Sequence, residues 1–288
     1  MTTDYPTVPM FDGRERELED RYAGDVRMPE RVPWSHMAQD FAVRWGRSNP
    51  KDPQPEHVEV LGPSGSGKTY LIGTLLGDRV RVRDTAIVAL ATKEADATLM
   101  RLQLPIVETW RDIQRNRQCI FWPRTELKGT ERRAYHERKL YEVLARLWVR
   151  EANVIVEFDE IGYVESLSRR IKDLVEQYWR EARSQKITVM AGKQRPQGAG
   201  RSMHSETPLT FMFPPTDEDD LERFAQLMGP RRLWMPIIRG LDNAKREFLV
   251  KNFRTGDTFI SWIDYPLRPI PRRGRSSGIY GQRRHEQE

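Results

Sequence analysis

Residues Gly62 to Thr69 read GPSGSGKT: a glycine, four residues, then glycine, lysine and a hydroxyl residue, the order that can enclose a polyphosphate. Gly62, Gly65 and Gly67 let backbone N–H groups curl around phosphate oxygens without Cβ clashes. Pro63, Ser64 and Ser66 fill the turn between them, so the whole octapeptide is a candidate ATP-binding loop. Lys68 is expected to reach the β- and γ-phosphates, and the Thr69 hydroxyl to ligate Mg²⁺. A helix-like run, TYLIGTLLG, follows and would add the positive field of its N-terminus. A second stretch, NVIVEFDEIGYV, carries apolar residues into an acidic pair, Asp159-Glu160. Beside a phosphate loop, Asp159 would hold the Mg²⁺ through water, and Glu160 would orient and deprotonate an attacking water. Glu157 lies within the same run, and alternation points it away from Phe158. A third stretch, ITVMAGKQRPQG, starts as a buried strand from Ile187 and stops at Lys193-Gln194-Arg195-Pro196. Taken alone, it reads as a strand running out into a polar loop.

These residues need elements to position them. From His57 onward, strand-like runs (HVEVLG, TAIVALAT, QCIFWP, NVIVEFDE, ITVMAG, LTFMFPP) alternate with helix-like stretches. That alternation predicts an α/β fold with a mainly parallel central sheet flanked by helices. One long helix is expected over Glu131 to Arg150. Another carries an apolar stripe of Leu167, Ile171, Leu174, Val175, Tyr178, Trp179 and Ala182, read as a face packed on the sheet. REFLVKN and DTFISWI flank FRTGD, a hairpin with Gly256 in the turn. In NTPases with a strand-terminal acidic pair, an extra strand lies between the phosphate-loop strand and the acidic strand. ITVMAGKQ follows the acidic strand by one helix, as that strand should. Gln194 then becomes an amide sensor for the γ-phosphate or the attacking water, and Pro196 ends the strand.

The run EARSQKITVMAGKQRP resembles the FtsK-HerA superfamily of DNA-pumping ATPases, whose signature at this point is close to ARxxGIxxxxATQRP. The match is free of gaps from Glu181 to Pro196, with Lys186 in place of the glycine and Lys193 in place of the threonine before Gln194. A looser likeness spans about residues 57–263 and includes ATKEAD and REFLVKNFRTGDTF. The resemblance implies a RecA-like P-loop NTPase core that hydrolyses ATP with Mg²⁺ and translocates or packages double-stranded DNA. It implies a homo-oligomeric ring, a hexamer in the first place, in which Arg183 reaches the neighbouring subunit's nucleotide. A cap on a helix C-terminus is the plainer role for Arg183. Size and the lack of membrane spans or a winged-helix module make the chain similar to phage packaging and mobile-element ATPases, with a capsid or mobile-element protein as a further partner. A nucleotide-switched assembly or defence ATPase that binds a protein partner without pumping DNA is the alternative. Glu160 argues against a small-molecule kinase, which must avoid attack by water.

Composition bounds the rest. Lys+Arg 48 against Asp+Glu 42 gives a net charge of +6, which favours a polyanionic partner without demanding one. No apolar run approaches the roughly 20 residues of a membrane span, so no membrane insertion is expected. The N-terminus MTTDYPTVPM has no secretory pattern. The single cysteine, Cys119, excludes an internal disulfide and suits a reducing cytoplasm, where it reads as a small buried hydrophobe. Three regions are expected: an N-terminal extension, 1–50, with a short amphipathic helix marked by Trp34, Met37, Phe41 and Trp45; the ATPase domain, 51–264; and a basic, disordered tail, 265–288. Basic segments at Arg111 to Arg117 and Arg124 to Lys139 interleave with Trp122 and Tyr135. They fit a phosphate-tracking surface and an ordinary solvated helix face equally well. The tail arginines Arg268, Arg272, Arg273, Arg275, Arg283 and Arg284 fit non-specific phosphate contact or plain solubility.

Overall fold

A computed structural model describes residues 28–45, 56–82, 85–92, 97–194 and 207–270. The linker before the phosphate loop, Lys93 to Asp96 of ATKEAD, Arg195-Pro196 and the tail beyond residue 270 lie outside the described residues.

The strands are β1 (Glu30–Pro33), β2 (Val58–Leu61), β3 (Ala86–Leu90), β4 (Ile106–Val107), β5 (Gln118–Phe121), β6 (Val154–Phe158), β7 (Ile187–Lys193), β8 (Leu209–Met212), β9 (Phe248–Asn252) and β10 (Thr258–Trp262). They form one sheet in the order β1-β10-β9-β8-β2-β7-β6-β3-β5-β4. Only β9 runs against its neighbours, paired antiparallel to both β8 and β10; the other pairings are parallel. The central strands are buried on both faces, which explains their unbroken apolar runs. The expected hairpin is β9–β10, with Gly256 at φ 83 in its turn.

Helices cover both faces. One face carries α1 (Trp34–Trp45) and α2 (Lys68–Val82), whose Trp34, Phe41, Leu71, Leu75 and Val80 pack on Val58, Val60, Ile87 and Phe211. Short helices α3 (Ala97–Met100) and α4 (Trp110–Arg115) lead towards the β4–β5 edge. The opposite face carries α5 (Gly129–Leu147), α6 (Ile161–Leu167) and α7 (Arg169–Glu181) over β3, β5, β6 and β7. The stripe of α7 is buried as its spacing required: Ile171, Val175, Tyr178 and Trp179. Ser168 caps α7 by accepting from the Ile171 N–H at 3.3 Å. Helices α8 (Glu218–Met228) and α9 (Arg231–Arg239) cover Leu61, Met212, Leu249 and Ile260.

The segment before the phosphate loop joins the same sheet. β1 pairs with β10, and Trp34 is fully buried, its indole N–H donating to Asp78 Oδ2 at 3.0 Å. The chain after β10 returns to the same carboxylate, with the Tyr265 hydroxyl donating to Asp78 Oδ2 at 2.7 Å. Residues 265–270, expected to begin a disordered tail, pack Ile270 at 2% exposure and donate its N–H to Leu102 O at 3.1 Å. Two apolar side chains in a proline-rich run, Leu267 and Ile270, suffice for this strap and give no periodic signal. Among the described residues, no helix is long and apolar enough to cross a membrane. Cys119 is buried, and desolvation pushes its thiol up to about 12.

Candidate active site

The phosphate loop connects β2 to α2 and is rooted in two neighbouring strands. Gly62 N–H donates to Lys193 O at 3.1 Å, and Phe213 N–H donates to Leu61 O at 2.8 Å. Gly62 adopts φ 155, and a Cβ there would lie 2.6 Å from Phe213 Cβ, so only glycine fits this entry. Lys68 folds back into its own loop, its ammonium donating to Pro63 O at 2.8 Å. The loop backbone thus receives a positive charge that a polyphosphate would take over.

Asp159 and Glu160 follow the last residue of β6, on the edge of the sheet where the phosphate loop opens. Thr69 Oγ1 donates to Asp159 Oδ1 at 3.2 Å, joining residues 90 positions apart. A hydroxyl and a carboxylate at this separation form a hard-oxygen pair of the kind that suits Mg²⁺, which keeps most of its ligands as water. Beyond these two, the described residues contain no group of three or more metal-ligating side chains.

β7 lies between β2 and β6, pairing parallel with both. The strand that looked central in the sequence is central, and its polar end faces the phosphate loop. Gly192 permits this: a Cβ there would meet Asp159 O at 2.8 Å. Gln194, directly after β7, donates from Nε2 to Glu160 Oε2 at 2.8 Å. The amide and the carboxylate therefore form one unit.

Lys193, in place of the threonine of the signature, is 4% exposed, and its ammonium makes no hydrogen bond among the described residues. Burial pulls its pKa below the usual lysine value, while the carboxylates of Glu165, Glu59 and Glu160 oppose that shift. Burial likewise raises Glu165. Sequence reasoning missed this buried charge group, because Glu59, Glu165 and Lys193 meet only through the β2–β7 pairing and the position of α6. Glu157, left open from the sequence, is fully buried on the face opposite Phe158.

Arg183 lies apart from these residues. It sits in a 3-10 turn (Ala182–Gln185) before the amino end of β7, where its charge acts on Glu56 and His57. Seven strand residues separate it from Gln194, a span of roughly 20 Å at about 3.3 Å per residue. The structure thus brings together Thr69, Asp159, Glu160 and Gln194, and holds Arg183 at the opposite end of the same strand. Lys186, standing where the signature has glycine, adopts φ 57 and ψ 34, the left-handed conformation that explains a glycine there. It pairs with Glu151.

No family model matches the sequence, and no curated protein is similar to it at a significant level. Solved structures do match. The DNA-packaging ATPase B204 of Sulfolobus turreted icosahedral virus superposes with a TM-score of 0.55 at 13% identity, covering 73% of this chain and 98% of that one. The genome-packaging NTPase B204 of Sulfolobus turreted icosahedral virus 2, in complex with ATP-gammaS, gives a TM-score of 0.55 at 11% identity over 73% and 98%. Its complex with AMPPCP gives 0.51 at 12% identity over 71% and 96%. At such identities the likeness is one of fold: the chain has the α/β architecture of these P-loop packaging ATPases, with its mostly parallel sheet flanked by helices.

Proposed function

We propose that the protein is an ATP-hydrolysing motor of the FtsK-HerA type that translocates or packages double-stranded DNA. The observation that carries this reading is the insertion of β7 between β2 and β6, which brings Gln194, part of the gap-free match from Glu181 to Pro196, against Glu160. The fold shared with the packaging ATPase B204 supports it.

In this reading the phosphate loop, Gly62 to Thr69, cradles the triphosphate, and Lys68 exchanges Pro63 O for phosphate oxygens. Thr69 and Asp159 would hold Mg²⁺, which supplies charge neutralisation between the β- and γ-phosphates. Glu160 accepts a proton from the attacking water as the water oxygen bonds to the γ-phosphorus and the bond to the β-phosphate oxygen breaks. Gln194 orients that water and releases its bond to Glu160 as it does so. Arg183, one strand length from its own phosphate loop, serves the neighbouring subunit's nucleotide, which requires a homo-oligomeric ring. Residues 51–264 would form the ATPase domain, with β1 and α1 of the 1–50 extension and residues 265–270 of the tail packed into the same body.

A triplex-displacement assay tests the reading. The assembled protein should release a third strand from a duplex track in an ATP-dependent manner, and Glu160→Gln should bind ATP yet release none. Duplex-independent ATP hydrolysis with no displacement would instead indicate the nucleotide-switched assembly protein.

A further inference from the structure

The second basic segment of the sequence forms an elbow at the catalytic edge of the sheet. β5 and β6 both pair parallel with β3, and Phe121 and Phe158 are both in register with Leu90. Trp122 and Asp159 therefore leave the sheet on the same edge, two strand spacings or roughly 10 Å apart. From Trp122 the chain turns into α5, and residues 126–134 are all exposed. From Arg124 to Lys139 there are six basic residues against three glutamates.

Three of the basic side chains lie against aromatic rings, and Arg124 also pairs with Glu108 at 3.5 Å. Arg124 stacks 4.4 Å from the Trp122 ring centroid, and Arg138 and Lys139 lie 5.6 and 5.8 Å from that of Tyr135. Lys128 and Arg132, at the tip, are exposed and make no ion pair among the described residues. Leu127, at 41% exposure, is the sole large exposed hydrophobic between Arg124 and Lys139. One exposed hydrophobic gives the elbow little of the apolar core that subunit interfaces carry. Binding to DNA of any sequence needs only phosphate contacts.

The elbow is also fastened to the helix that begins at the proposed base. Arg133 Nη2 donates to Ser166 O at 2.5 Å, and His136 Nδ1 lies 2.9 Å from the Tyr163 hydroxyl. Both partners are on α6, whose N-cap is Glu160. His136 is buried and also meets the backbone of Pro123, so it ties the exit of β5 to α6.

We propose that the Trp122–Lys139 elbow grips the phosphates of duplex DNA and that its anchors on α6 carry that contact to Glu160. The proposal rests on the DNA-motor reading and deepens it by naming the surface that meets the substrate. Two variants test it. The first, Arg124→Gln with Lys128→Gln and Arg132→Gln, removes three phosphate contacts. Binding to a fluorescent random-sequence duplex, measured against salt, should lose about 2.7 from its log–log slope and on the order of a hundredfold in affinity at 0.1 M salt. The second, Tyr163→Phe, should keep duplex affinity but lose the stimulation of ATP turnover at saturating duplex. Wild-type slope and affinity in the triple variant, with the parent protein still binding duplex, would overturn the elbow and leave the motor reading standing. A parent protein that binds no duplex would sink both. Loss of the oligomer in the triple variant would mark the elbow as a subunit contact. For Tyr163→Phe, equal losses with and without DNA would show a packing role and remove the link to Glu160.

Discussion

His57→Asn probes the root of the phosphate-loop strand. His57 is fully buried directly before β2, with Nδ1 accepting from the Val189 N–H at 3.0 Å and its ring edge-on to Trp179 at 5.4 Å. Burial, with Arg183 adding to it, lowers its pKa from 6.5 to about 3. The unfolded chain takes a proton there below pH 6.5, and the folded chain only near pH 3. Stability from this group is therefore complete above pH 6.5 and is lost as the pH falls through that window. The slope is about 1.4 kcal/mol per pH unit, so wild type should lose on the order of 3 kcal/mol from this residue on going from pH ~7 to ~4.5. Asparagine places an amide oxygen where Nδ1 stood and does not titrate. Its smaller volume costs stability equally at every pH. Glu56, whose carboxyl is raised by burial, titrates in both proteins and cancels in the comparison. Urea unfolding followed by tryptophan fluorescence at the two pH values gives the difference directly. A parallel loss in wild type and variant would refute a buried neutral imidazole.

Three further outcomes are expected. Lys68→Ala should weaken ATP binding by roughly tenfold to a hundredfold, the worth of a charge-assisted hydrogen bond, as read by calorimetric titration. Unchanged affinity would remove the phosphate-loop assignment. Arg183→Ala should bind ATP without turnover, and mixing it with Lys68→Ala protein should restore part of the activity. A monomer in solution, or mixtures as inactive as their parts, would leave Arg183 with a structural role only. Trp34→Ala should cost about 3–5 kcal/mol, because it empties a site lined by Phe41, Phe211 and Phe248 and deprives Asp78 of a donor. An unchanged denaturation midpoint would mean that α1 is not docked as described.

The sequence made the candidate site legible to the extent that its chemistry is local. Gly62 to Thr69 and Asp159-Glu160 carry their meaning in adjacent residues, and the central place of β7 followed from counting one helix past the acidic pair. The bond from Gln194 to Glu160 was not legible, because the amide was read as waiting for a phosphate. The long helix was expected over Glu131 to Arg150 and spans Gly129–Leu147; its first turn is polar, and at the other end Trp148 and Val149 continue the apolar run beyond the last helical residue. β1 gave no signal at all. Its residues Glu30 to Pro33 neither alternate nor form an apolar run, and they are a strand only because β10 offers an edge. Helices α8 and α9 went unread although signals were present: Asp217 caps α8, and Leu221, Phe224, Ala225 and Met228 form its buried stripe.

The closure of the sheet by β1 on β10 sets an order of events during synthesis. Ser35 binds Asp264 through both its N–H and its hydroxyl, across 229 residues of chain. Phe211 and Phe248, which enclose Trp34, also come from the late strands. At about 5–20 residues per second, a ribosome needs on the order of tens of seconds to supply the other half of that pocket. Throughout that interval a nascent chain carries an unpaired Glu30–Pro33 strand and an uncovered indole. The central strands β2, β3, β6 and β7 all emerge before it can be sheltered. Chaperone demand in this protein should therefore centre on α1, and slow translation should lengthen the exposure of that helix more than that of the Gly62–Thr69 loop.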